Sequence, residues 1–155
     1  CGDRTLTVEM AKFATRVIGV DFNPDMLASA RQRIDRLGLQ NVKLLAEDAG
    51  NLSLPAESLD VVFFSQSLHH LDNPQRGFQE AARILRPGGK VLVMELATHS
   101  EEWVLEKLGH KWLGFEKETL HDFMHTAGFS NLYSQILPFR REELFQIILA
   151  AGSKT

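Results

Sequence analysis

The stretch "CGDRT" sets Gly2 directly before a helical pattern. Glycine allows close backbone approach to a ligand, and the first N–H groups of a helix are free to bind an anion. Asp21 follows 19 residues after Gly2, at the end of the apolar run "RVIGVD". In dinucleotide-binding folds an acid at about this distance accepts hydrogen bonds from ribose hydroxyls. Asp48 comes just after a second apolar run, and the third run ends in "SQSLHHL", with Ser65, Gln66, His69 and His70. An imidazole there could serve as a general base, although a His pair in such a place more often caps or packs the next helix. Each acid also has a plain alternative reading, Asp21 as a solvated turn residue and Asp48 as an Asx-turn former.

These residues need a frame that brings strand ends together. Leu6, Met10 and Phe13 share one face of a helix expected over Thr5–Phe13. Arg16–Asp21, Val42–Ala46, Leu59–Ser65 and Lys90–Ala97 read as short buried strands, with "RPGG" as a turn before the last. Between the strands lie helices that begin at Asn23-Pro24 and Asn73-Pro74, each an N-cap followed by a proline suited to the first helical position. Glu101–Leu108 and Lys117–Thr126 read as further helices, and Phe129–Leu137 and Glu143–Ala151 as two final strands. The alternation predicts an α/β fold with a doubly wound, mostly parallel sheet. The short link "PFRRE" requires the last two strands to pair antiparallel.

Bulk properties narrow the classes. The 155 residues suit a single domain, with 44% hydrophobic and 24% charged residues. Net charge is −3 with no basic stripe, which argues against nucleic-acid or anionic-lipid partners. The lone cysteine, Cys1, rules out an intramolecular disulfide and a cysteine-based zinc site, and a cytoplasmic location follows as the expectation. No apolar run approaches a membrane span. His121 and His125 stand at i, i+4 without an HExxH pattern, so they read as a surface face; with His99 and His110 they form no metal-ligand grouping along the chain. No metal is expected. Trp103 and Trp112 read equally well as core or as pocket lining.

Taken in order, "CGDRTLTVEMAKFATRVIGVDFNPDML", "AEDAGNLSLPAESLDVVFFSQSLHHL" and "AARILRPGGKVLVMEL" resemble successive motifs of the Rossmann-like S-adenosylmethionine-dependent methyltransferases. The resemblance covers nearly the whole chain. It implies that the turn at Cys1 and Gly2 holds the methionine end of the cofactor. It likewise implies that Asp21 holds the ribose hydroxyls, Phe22 flanks the adenine, and Asp48 accepts from the adenine amino group beside the Ala49 backbone. Ser65 and Gln66 are then near the methionine moiety and the transferred methyl. Arg4 stands where the family normally carries a third glycine. The segment "LGHKWLGFEKETLHDFMHTAGF" further resembles methyltransferase domains fused behind winged-helix, arsenic-repressor-type regulators, and the quinone-ring C-methyltransferases.

The function so implied is methyl transfer from S-adenosylmethionine to a small-molecule acceptor, leaving S-adenosylhomocysteine, with an upstream regulator domain and a homodimer as further expectations. The alternatives are a non-catalytic binding or regulatory module, and an NAD(P)-dependent oxidoreductase, against which the missing later glycines of "GDRTLT" count. In this family the strand before the glycine turn is central to the sheet. An upstream strand and helix are therefore expected, with Leu59–Ser65 paired on only one side by residues of this chain.

Overall fold

The computed structural model describes residues 4–138 and 144–155, with side chains from Leu6 onward. Cys1 and Gly2, both expected cofactor contacts, lie outside the described residues, as do 139–143 of the final connection. The elements follow the expected alternation: α1 (Arg4–Ala11), β1 (Val17–Asp21), α2 (Pro24–Arg36), β2 (Val42–Ala46), β3 (Leu59–Ser65), a 3-10 turn at Leu68–His70, α3 (Pro74–Ile84), β4 (Leu85–Leu96), α4 (Trp103–Lys107), α5 (Lys117–Thr126), β5 (Phe129–Ile136) and β6 (Ile147–Lys154). Arg4 opens α1, so the position of the family's third glycine is already helical.

Both proline-led starts form as expected. Asp25 N–H donates to Asn23 Oδ1 at 2.9 Å, and Arg76 N–H to Asn73 Oδ1 at 3.3 Å. Each side chain thereby satisfies an N–H group that the first helical turn leaves unpaired.

The strands form two sheets. β1 and β2 pair in parallel, and β3, β4, β6 and β5 make a four-stranded sheet in that order. β3 is parallel to β4, while β6 runs antiparallel to both β4 and β5. Among the described residues, no strand pairs with the second edge of β1 or of β3. Between them lies a cavity of ≈ 670 Å³, walled by Val17–Val20 on one side and Leu59–Ser65 on the other, with α1 and α3 at its faces. Val61, in a strand apolar enough for a sheet centre, is 40% exposed.

The main hydrophobic cluster belongs to the four-stranded half. Phe64, Leu68, Phe78, Leu85, Val91, Val93, Leu120, Met124 and Ile148 form its centre, and among the described residues none before Ala49 joins it. The β1–β2 half instead buries Val8, Ala11 and Ile34 under its two helices.

Several expected boundaries are corrected. "RPGG" does not precede β4 as a turn but lies within it: Leu59 pairs with Leu85 and Val61 with Lys90, so residues 86–89 bulge out, with Gly88 at φ +78°. Local turn chemistry is intact, while pairing on each side keeps the strand continuous. The final strand begins at Ile147 rather than Glu143, because its register is set by β4, where Leu96 meets Ile147. α4 is shorter than expected, five residues from Trp103.

Gly114 ties the segment after α4 to the sheet. Its φ is +79°, and a Cβ there would fall 2.3 Å from the Ala97 carbonyl oxygen. The neighbouring Phe115 forms a parallel bridge with Ala97. Gly114→Ala is expected to destabilise the fold by roughly 2 kcal/mol or more, through steric clash and left-handed strain together. Urea unfolding of the variant beside the parent checks this, and equal midpoints would contradict it.

Candidate functional site

The strand ends carry the predicted residues in three groups. Asp21 closes β1, half-buried, with Oδ1 accepting from Asn23 N–H at 2.9 Å. Phe22 beside it is 65% exposed, its ring available to a ligand rather than packed in the core. Past β2, Asp48 is exposed and its Oδ1 accepts from Gly50 N–H at 2.7 Å, an Asx turn. The plain reading of Asp48 is therefore realised through one carboxylate oxygen. That loop is held in place by Glu80, which accepts from Leu52 N–H, while Arg83 donates to the Leu52 carbonyl.

At the end of β3, Ser65 is buried and its hydroxyl has no hydrogen-bond partner. A buried hydroxyl left unpaired costs on the order of 1–3 kcal/mol, so an orphan of this kind calls for an occupant. Ser65, Ala49 and Val20 line the cavity between β1 and β3, while Asp21, Phe22, Asp48 and Gln66 lie outside its lining. Gly19 stands at the same wall, where an added Cβ would meet Leu44 Cδ2 at 2.8 Å and Thr7 Cγ2 at 3.7 Å. The tight contact is with Leu44 of β2, whereas Thr7 of α1 would stand at ordinary contact distance.

Gln66 adopts φ +46°, unusual for a non-glycine residue and frequent where strain serves a site. Its N–H donates to the Met94 carbonyl at 2.7 Å. It borders a second cavity of ≈ 560 Å³ with Met94, Leu96, Leu137, Pro138, Leu144, Phe145 and Ile147. This apolar hollow is suited to part of an organic molecule.

Beyond Gln66 the chain is held by a residue the sequence reading missed. Glu95 is fully buried in β4. Its Oε1 accepts from Leu68 N–H at 2.7 Å, and its Oε2 is 2.6 Å from His69 Nδ1 and 3.1 Å from Leu96 N–H. The signal was present in "VLVMEL", where one acid interrupts an apolar strand at an inward position.

His69, 3% exposed, is thus fixed by Glu95, which favours the packing role for it. His70 is half-buried against it, with ring centroids 4.3 Å apart. The structure also brings in His110, whose ring centroid is 4.2 Å from that of His69 and 5.0 Å from that of His70. Lys111 N–H donates to the His69 carbonyl at 2.7 Å, fastening the two segments together. The expectation that His110 joins no ligand grouping is therefore corrected. Its partners lie 40 and 41 residues away in sequence, beyond any local spacing rule. His121 is corrected too: its Nε2 is buried without a partner, although His125 is exposed as expected. Trp112 packs on Phe115 and donates to the Leu71 carbonyl at 3.0 Å, whereas Trp103 is 37% exposed.

Burial first, and then the neighbouring His69 and His70, lower the His110 pKa to about 4. Burial and His69 lower that of His70 as well.

A methyltransferase-domain family model matches residues 1–93. This chain belongs to that family. Its fold is that of the Rossmann-like S-adenosylmethionine-dependent methyltransferases, as the motif series led us to expect. A phosphatidylethanolamine N-methyltransferase of Cereibacter sphaeroides is 34% identical over 90 residues, 57% of this chain and 44% of its own length. A demethylmenaquinone methyltransferase of Clavibacter sepedonicus is 31% identical over 97 residues, 63% and 39% of the two chains. Among solved structures, Haemonchus contortus phospholethanolamine N-methyltransferase 2, determined with S-adenosylhomocysteine and phosphomonomethylethanolamine, superposes with a TM-score of 0.78 at 19% identity. That match covers 93% of this chain and 45% of the other. The methyltransferase chain thus spans about two fifths of the length of the curated relatives it matches. Among the described residues, no helix is long and apolar enough to cross a membrane.

The low pKa of His110 has a consequence for stability. From an ordinary value of 6.5, it titrates near 4 in the folded chain. Between those limits the unfolded chain binds more protons, so stability present above pH 6.5 declines as pH falls toward 4. Urea midpoints at pH 7 and pH 5 should differ in the parent, and His110→Gln should narrow the difference. An unchanged difference would contradict the assignment.

Proposed function

We propose that this chain binds S-adenosylmethionine and transfers its methyl group to a small-molecule acceptor. The observation that carries the reading is the match of a methyltransferase-family model to residues 1–93, with Asp21 closing β1 and the buried, unpaired Ser65 hydroxyl closing β3. The strand ends fit the cofactor's parts. Asp21 offers a carboxylate for ribose hydroxyls, Phe22 an exposed ring for adenine, and Ala49 backbone polar groups next to Asp48. Cys1 and Gly2 are assigned to the methionine end by the family resemblance.

S-adenosylmethionine, when bound, supplies a methyl already activated on a sulfonium, and the protein's part is positioning and exclusion of water. Ser65 and Gln66 orient the reacting end. The apolar hollow beside Gln66 is assigned to the acceptor, a fit for a compound with an apolar portion. The named relatives differ in acceptor, phosphatidylethanolamine for one and demethylmenaquinone for the other, so residues outside the shared core are assigned its choice. An upstream winged-helix regulator domain and a homodimer accompany this proposal.

Asp21→Ala removes charge-assisted hydrogen bonds worth roughly 1.5–3 kcal/mol each. Calorimetric titration with S-adenosylmethionine should show at least a tenfold loss of affinity in the folded variant. Unchanged affinity would remove Asp21 from the site, and failure of the parent to bind would sink the proposal.

We also propose that a strand from outside residues 1–155 lies between β1 and β3. The apolar, partly exposed β3 and the strand-walled cavity support it. Consecutive strand N–H groups point to alternate sides. In residues 1–155 alone, amide exchange along Val61–Phe64 should alternate fast and slow. In a longer natural chain all four should be slow, and persistent alternation there would refute the added strand.

A further inference from the structure

The cluster of His69, His70 and His110 is not used by the proposed function, and three imidazoles are the donor set of a metal site. One ring nitrogen from each lies within 4.8 Å of one from each of the others. We propose that these three imidazoles bind a divalent zinc-like cation beyond the end of β3. The proposal is independent of the methyl-transfer reading.

Three features support it. First, the carboxylate pattern is that of ligating histidines, which commonly donate the second ring N–H to a carboxylate. Glu95 Oε2 stands 2.6 Å from His69 Nδ1, and Glu95 is itself held by Leu68 and Leu96 N–H. This leaves His69 Nε2 as the nitrogen for a metal. Secondly, His110 is 9% exposed and its Nδ1 has no hydrogen-bond partner. Its ring is pressed against two other imidazoles rather than against a donor or acceptor. A buried, unpaired ring nitrogen in that position gains a partner if a cation enters. Thirdly, the cluster is assembled by backbone bonds that do not depend on the imidazoles. Lys111 N–H reaches the His69 carbonyl, and His110 N–H reaches the Val104 carbonyl at 3.3 Å.

The geometry needs modest adjustment. Zinc–nitrogen bonds of about 2.0–2.1 Å in a tetrahedron set ligand nitrogens about 3.3 Å apart. Rotation of the half-exposed His70, with small shifts of the other two, closes the difference. Imidazole ligands suit zinc, copper, nickel and iron, while calcium and magnesium prefer oxygen. Three nitrogen ligands leave a fourth position for water or another donor.

The test uses full-length, tag-free protein, because an affinity tag of histidines would bind the same ions. Titration with Zn²⁺ alone should show one equivalent bound per chain. Co²⁺ should give the visible ligand-field absorption of a four- or five-coordinate site and be displaced by Zn²⁺. His110→Ala and His70→Ala should each weaken Zn²⁺ binding at least a hundredfold, while His121→Ala with His125→Ala should leave it unchanged. His70 is half-exposed, so its variant keeps the test informative if His110→Ala does not fold. Absence of stoichiometric binding in the parent, or unchanged affinity in folded His70→Ala, would overturn the site.

Discussion

The fully buried carboxylate of Glu95 governs the chemistry-bearing end of the molecule. A charge so placed is tolerable only when its oxygens are saturated by donors. Leu68 N–H, Leu96 N–H and His69 Nδ1 meet that need, and all three belong to the loop after β3 or to β4 itself. The loop is therefore bound to the sheet through hydrogen bonds that cannot be exchanged for water. Gln66, held in left-handed conformation and bonded to Met94, is the first residue to turn away under that constraint. His69 in turn anchors Lys111, which brings the whole segment between α4 and α5 over the strand ends.

The rest of the architecture is less uniform than a closed sheet would be. One half carries a dense core of phenylalanine, leucine, isoleucine and methionine between β3–β6 and the helices α3 and α5. The other half, β1 and β2 with α1 and α2, is thin and meets the first across an apolar cavity. Its contribution is concentrated at the ends of two strands, where Asp21 and Asp48 stand. Asp21 is oriented by the same turn that begins α2, since its carboxylate accepts from the N–H of the cap residue Asn23. The end of β1 and the start of α2 thus share one short stretch.

Family membership is carried by the segment 1–93, from Cys1 through β4's first paired residues. Beyond it the chain builds most of the wall of the hollow at Gln66 and brings His110 onto His69 and His70. In the proposed reading the cofactor residues lie within the family-matched segment, while most of the hollow's wall lies beyond it.

The α/β alternation, both Asn-Pro helix starts, the antiparallel last strand and the family itself were all legible from the amino-acid sequence. Each depends on local signals: apolar period, cap chemistry, short links and motif order. The places of Asp21 and Ser65 at strand ends were legible for the same reason, because a strand end is a local feature. Other features came from pairing between distant segments. "RPGG" has turn chemistry, yet two strand pairings on either side of it make it a bulge within β4. The start of β6 was decided by register with β4, not by its own composition. Glu95 is an ordinary acid by residue type, and only burial opposite Leu68 and His69 makes it an anchor. His110 shows no ligand spacing along the chain, and it meets His69 and His70 solely because backbone bonds fold its segment back over β3. Sequence determines what a short stretch can do by itself; which distant groups meet is decided by packing, since proximity in space carries no mark in local pattern.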